Sequence, residues 1–242
     1  MRARFALAVA AFLCTAAAAQ QPEIVASVLG TTITRSQLTA AQDDRPRARK
    51  LLALIWEHVA PDYISKNGLG ATLPEIEELA AYDREFDAKD RAQRARKLEE
   101  LDQRLRGDEL EPAERGRLED FRSTLKRLAR SDAERDQDPP VDAARQAPFY
   151  ASWIEMWKMN KALYEEYGGV VALTQFGPDP QGARAALLRD YERQGLLRIE
   201  NAVLREEVQA ALDTRPSIVI APENVDFTPY WKRPIPGSYF PD

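Results

Sequence analysis

Residues 75–138 constrain this chain most. A stretch so charged can bury little, so it must fold in a way that needs little burial. Charged residues dominate it and their signs nearly balance. Leu98, Leu101 and Leu105 step by 3 and 4, while Leu118, Phe121, Leu125 and Leu128 step by 3, 4 and 3. That spacing puts each set on one narrow helix face. Gly107 and Pro112 bound the break between the sets. Two narrow seams around a short break predict an antiparallel helical hairpin. Such an arm is either a solvated spacer or a device for surrounding or docking a partner, and the spacing serves both.

The flanks read differently. Residues 24–29 are apolar and β-prone, Gly30 and Thr31 supply a turn, and Thr32 and Ile33 a return strand. Thr34 followed by Gln37 fits a capping box, so a short helix starts at Arg35. Residues 43–46 end it and cap the next. Residues 47–66 carry Leu51, Leu52, Leu54, Ile55, Val59, Tyr63 and Ile64 on a broad helical face, hence a core helix. Pro61 is expected to kink it, and Asn67 with Gly68 to stop it. Thr72 and Glu75 form a second capping box, with Pro74 in the first turn.

Beyond the linker at 138–140, Pro148 is expected to open a helix ending at Tyr167. Residues 170–175 read as a strand, 177–180 as a turn, 181–194 and 201–213 as helices, and 217–221 as a strand. The tail from Phe227 holds Phe227, Tyr230, Trp231, Tyr239 and Phe240 among prolines. It is too aromatic for a solvated linker and should pack back on the body.

The amino end reads as an export signal. Arg2 and Arg4 precede an apolar run at 5–13, and small residues fill 16–19. Cleavage is expected near Ala19 and Gln20. Lipidation at Cys14 is disfavoured because Leu13 precedes it. The run is too short to serve as a stable membrane anchor. Cys14 is the only cysteine, so the mature chain would have none. Export without disulfides fits a bacterial periplasm. Removing Arg2 and Arg4 takes the formal charge from −5 to −7. A mildly acidic chain of mixed sign argues against nucleic acid as partner.

EIVASVLGTTITRSQL, residues 23–38, resembles the opening of SurA-type and PrsA-type chaperones and parvulin foldases. Val25, Ala26, Val28, Gly30, Ile33, Thr34 and Leu38 match an apolar strand, a small turn and the pattern I-T-x-x-x-L. The helix with Leu54, Ile55 and Tyr63, then Gly68 and Leu69, then ATLPEIEEL, continues the likeness to about residue 82, a quarter of the chain. A parvulin catalytic domain would need an R-A-x-H-I-L-type strand and a later G-G-x-L-G loop with paired histidines. This chain has one histidine, His58, and Gly168-Gly169 is followed by Val170-Val171-Ala172. The resemblance therefore implies the chaperone-like module without the prolyl isomerase. In those chaperones a carboxyl-terminal segment completes the amino-terminal helices, and residues after Pro148 could do so here.

Other chemistries find little footing. His58 neighbours Trp56 and Val59 and reads as a structural histidine. No G-x-S-x-G elbow exists for a serine triad, a zinc site lacks nitrogen and sulfur ligands, and no cofactor is expected. Glu165-Glu166 and Glu206-Glu207 are sequence neighbours on helices, so each pair points about 100° apart and cannot converge on one bond. Asp132, Asp136 and Asp138 lack the glycine and terminal glutamate of a calcium loop. Gly168-Gly169 follows a helix, so it offers no helix amino end to phosphate.

One constellation carries two readings. The aromatic helix ending at Tyr167 is either plain core or a groove for unfolded polypeptide, with Trp153, Met156, Trp157 and Met159 as adaptable contacts.

The expected fold is mainly α. It is a helical body like the SurA amino-terminal module, with a small amino-terminal β-hairpin, a projecting antiparallel helical hairpin and a minor carboxyl-terminal β element. The expected segments are a signal peptide at 1–20, hairpin and core helices at 21–74, the charged hairpin at 75–138, and a helical segment with the aromatic tail at 141–242. The expected function is a non-catalytic periplasmic chaperone-like protein that binds unfolded or envelope polypeptides. The alternative is an envelope scaffold that binds one partner through the charged arm.

Overall fold

The computed structural model describes residues 23–40, 46–107, 109–137, 143–214 and 216–237. The expected signal peptide, the linker at 138–140, and Asp138, Tyr239 and Phe240 lie outside the described residues.

The first strands are β1 (Ile24–Val28) and β2 (Thr31–Thr34), joined through Leu29 and Gly30. Both joining residues have positive φ, 50° and 81°, as a two-residue turn matched to strand twist requires. The turn thus sits one residue earlier than expected. Leu29 can hold this costly conformation because its N–H donates to Leu196 O at 2.7 Å. Thr34 N–H donates to Gln37 Oε1 at 2.7 Å, which fixes the start of α1 (Arg35–Ala40).

Helix α2 (Arg47–Lys66) runs through Pro61. Its end is closed by Leu69 N–H to Ile64 O and Gly68 N–H to Ser65 O, two bonds that satisfy the last carbonyls. Thr72 donates its N–H and its hydroxyl to Glu75 Oε2, each at 2.8 Å. There α3 begins (Leu73–Leu105). At about 1.5 Å per residue its 33 residues span about 50 Å. The break leads into α4 (Pro112–Arg135), antiparallel to it.

Leu101 and Leu125 are buried between these two helices, but Leu128 is exposed. The seam changes character at that level. Arg94 reaches Asp132 at 2.8 Å, and Arg91 reaches Asp136 at 2.8 Å. Asp132 and Asp136 are therefore taken up by arginines of the facing helix. Nearer the tip, Arg122 pairs with Asp102 and Arg104 with Glu114.

Helix α5 (Ala143–Tyr167) begins five residues before Pro148. The proline is interior and does not open the helix, contrary to expectation. A hairpin follows, β3 (Val171–Thr174) and β4 (Gly177–Asp179), so the expected turn at 177–180 is mostly strand. Next come α6 (Gln181–Arg193), β5 (Leu197–Ile199), α7 (Ala202–Leu212) and β6 (Val219–Ile220). Two three-stranded antiparallel sheets result, ordered β2-β1-β5 and β4-β3-β6.

The pairing of Ala26 with Ile199 and Val28 with Leu197 makes the carboxyl-terminal half finish the amino-terminal sheet. Leu51, Ile55 and Val59 of α2 and Leu163 of α5 share one core with α6, β5 and α7. Each such side chain contributes about 1.5–3 kcal/mol by leaving water. A second cluster joins Leu79 of α3, Ile154 and Trp157 of α5, and Trp231 of the tail. Helix α5 is thus apolar on two sides because it serves two cores. The tail does return to the body. Phe227 and Trp231 are buried, and the tail follows α3 until Gln93 Nε2 donates to Gly237 O at 3.0 Å.

Candidate functional site

The four side chains singled out on the aromatic helix do not share one surface. Trp157 is buried, and its indole N–H donates to Phe227 O at 2.7 Å. Gly177 lies so close on its other side that a Cβ there would sit 2.8 Å from the ring. Met159 is buried in the main core. Met156 is half-buried in a shallow recess with Ala60, Pro61 and Ile64. Trp153 is half-buried against the second cluster. Its ring stacks on Phe149 at 6.1 Å and meets Phe176 edge-on at 5.4 Å.

Those ring contacts lead to the second sheet. Ten large apolar residues are exposed among the described residues, and six belong to this region: Phe149, Val170, Leu173, Phe176, Ile218 and Val219. Phe149 is 63% exposed, Leu173 52%, Phe176 51% and Ile218 59%. Single exposed apolar residues are ordinary, but a cluster marks a surface that something covers. Val171 and Ala172, on opposite faces of β3, are both buried, while Leu173 beyond them is exposed. Leu173 N–H donates to Ile218 O at 3.1 Å, which holds the two side chains' segments together.

Beside this sheet a groove of about 720 Å³ runs between it, α2 and the segment after α7. Leu52, Trp56, Leu173, Leu212, Pro216 and Ile218 make its walls apolar. Arg49, Arg184 and Asp179 make one part of it charged. Arg184 is held firmly. Its Nη2 donates to Asn160 Oδ1 at 2.8 Å, and its guanidinium lies 5.6 Å from the centre of the Trp56 ring. Asp179 Oδ1 is 3.2 Å from Arg184 Nε, yet the N–H is not aimed at it and neither atom forms a hydrogen bond. Burial lowers the pKa of Arg184 and Asp179 opposes that shift. Arg49 is exposed and has no ion-pair partner among the described residues.

A different polar cluster ties α2, α5 and α6 together. Tyr63 donates to Glu166 at 2.7 Å, Tyr167 to Asp190 at 2.8 Å, and Tyr191 to Asp62 at 2.5 Å. Burial, then the nearby Glu166 carboxylate, pushes the pKa of Tyr167 up to about 12. Burial and their acidic partners raise Tyr63 and Tyr191 as well. These phenols stay protonated and act as clamps between helices.

Among the described residues, no group of three or more His, Cys, Asp or Glu is placed to hold a metal ion, and no helix is long and apolar enough to cross a membrane. His58 is half-buried on α2. Sequence reasoning missed Arg49, Leu173 and Ile218, which lie far apart in the chain and carry no shared spacing. No protein-family model, curated protein or solved structure matches the chain.

Proposed function

We propose that the chain is a non-catalytic, exported chaperone-like protein that holds extended apolar segments of unfolded or envelope polypeptides. The binding face is the second sheet with the start of α5. The observation that carries the reading is exposed apolar side chains around this sheet, with Leu173 and Ile218 lining an apolar-walled groove and Phe149 and Phe176 against Trp153. An extended segment can lie along the edge strand β6, its backbone pairing while alternate side chains meet Leu173, Ile218 and the groove. Trp153, Phe149 and Phe176 offer broad rings that tolerate many side chains. Burial of this kind without a deep pocket gives weak, broad affinity. An export signal at 1–20 would bring the protein to a bacterial periplasm, where such clients pass.

The charged arm supports the scaffold alternative less well. Its arginines and aspartates at the helix–helix seam are spent on each other, through Arg91, Arg94, Arg104 and Arg122.

The test is aggregation suppression of a denatured outer-membrane protein by the purified chain, at low and high salt. Suppression that persists in salt and falls several-fold in a Leu173→Ser/Ile218→Ser double variant is the expected result. A chain that suppresses nothing, or whose suppression ignores the double variant, would falsify the reading.

A further inference from the structure

We propose that the groove beside the second sheet seats the carboxyl end of an apolar polypeptide, with Arg49 and Arg184 supplying positive charge to the terminal carboxylate and Trp56, Leu173 and Ile218 taking the last side chains. The inference rests on the reading that this face binds extended polypeptide, and it narrows which part of a polypeptide is taken.

Charge complementarity selects the occupant. Among the described residues the groove carries two guanidiniums against the single carboxylate of Asp179. Arg184 is fixed by Asn160 and Trp56, and its contact with Asp179 is a poorly aimed one at 3.2 Å. A partly buried cation with an imperfect counter-ion gains much from an added carboxylate, because charge-assisted hydrogen bonds are the strong ones. Arg49 stands at the same groove with no ion pair among the described residues.

The walls disfavour simpler anions. A phosphate or nucleotide could use the guanidiniums and the Thr174, Gln181, Thr214 and Ser217 side chains, but would press the rest of its charge against Leu52, Leu212, Pro216 and Ile218. An internal aspartate or glutamate brings a carboxylate only by giving up an apolar side chain at that position. A chain end ending in an apolar residue carries both on one Cα, which is the pairing the groove presents. The volume of about 720 Å³ lies in the range that holds a small molecule or a peptide end and is far below that of a folded domain. Ile218 leads into the edge strand β6, so the residues before the chain end have a strand edge to follow.

The experiment compares a short dye-labelled apolar peptide as the free acid and as the carboxyl-terminal amide, by fluorescence anisotropy with the purified protein. The free acid is expected to bind about tenfold tighter, with the gap shrinking in high salt. Arg49→Gln removes an exposed side chain that has no ion pair among the described residues, so it leaves the fold intact. It is expected to erase most of the preference while leaving the amide's affinity unchanged. Arg184→Lys, checked for folding by circular dichroism, keeps the charge but loses the fork and should weaken the acid several-fold. Equal affinity for acid and amide, or a preference that survives Arg49→Gln, overturns the inference and leaves polypeptide binding at this face standing. Displacement of the acid peptide by dodecanoate at lower concentration than by unlabelled peptide also overturns it, assigning the groove to a lipid carboxylate. Binding of neither form, together with aggregation suppression indifferent to Leu173→Ser/Ile218→Ser, removes both readings.

Discussion

The two small sheets have the same plan and opposite surroundings. Each is an antiparallel hairpin joined by a third strand from far along the chain. In the first, Val25, Ala26, Val28, Ile33, Leu197 and Ile199 are buried, and Ile24 at the start of β1 is exposed. In the second, Val171 and Ala172 are buried while Leu173, Phe176, Ile218 and Val219 stay in contact with water. Strand count and connectivity therefore do not decide what a sheet is for. What differs is how much of each is covered. The first is closed over by α2, α6 and α7 and serves stability. The second keeps apolar side chains outside, the kind of surface that the proposed polypeptide binding would use.

The largest effect that would test this contrast is in the first sheet. Ile199→Ala empties a fully buried site and is expected to cost about 3 kcal/mol in urea unfolding. A loss below about 1 kcal/mol would mean that β5 is not a true member of that sheet. Gly177→Ala comes next. It sets a Cβ 2.8 Å from the Trp157 ring at a backbone φ of +99°, so a loss of about 2 kcal/mol is expected. The second sheet would thereby prove anchored at its base although open on its face.

A smaller effect concerns acid. Burial would raise the pKa of Glu75, but hydrogen bonds from Lys158 and Thr72 outweigh it, and the pKa ends below 4.5. A carboxylate with a lowered folded pKa stabilises the fold above its unfolded pKa, and that contribution is lost as pH falls through the folded value. Glu75→Gln should therefore lower Tm at about pH 7, and the deficit should shrink as pH falls below the ordinary carboxylate range. A deficit that does not change with pH would show that Lys158 draws its support elsewhere. The smallest stability change is expected for Leu173→Ser/Ile218→Ser, within about 0.5 kcal/mol. A large loss there would turn the open face into core and remove the contrast.

Much of the helical scaffold was legible because its signals are local. Two capping boxes and one apolar stripe place the start of α1, α2 and the start of α3, since each uses residues within one or two turns. Strand β5 was invisible, because Leu-Arg-Ile is too short for periodicity and becomes a strand only by meeting β1. Strand β4 was read as a turn because it contains Pro178, which an edge strand accepts. Pro148 was read as a helix opener, though the helix had already begun. The candidate face was harder still. Spacing on α5 marked Trp153, Met156, Trp157 and Met159 alike, and a helix serving two cores has no single apolar side to read. Leu173, Ile218 and Arg49 gain meaning only once three distant segments meet.

The closing of the first sheet by β5 also sets an order of events. Val28 leaves the ribosome early, yet its partner Leu197 comes 169 residues later. Until then β1 has an open edge and α2 has no α6 or α7 to lie against. Contacts so distant in sequence form late and slowly. A chain threaded through a narrow pore amino end first would thus carry an unfinished core until most of its length had passed, and would stay thin enough to thread.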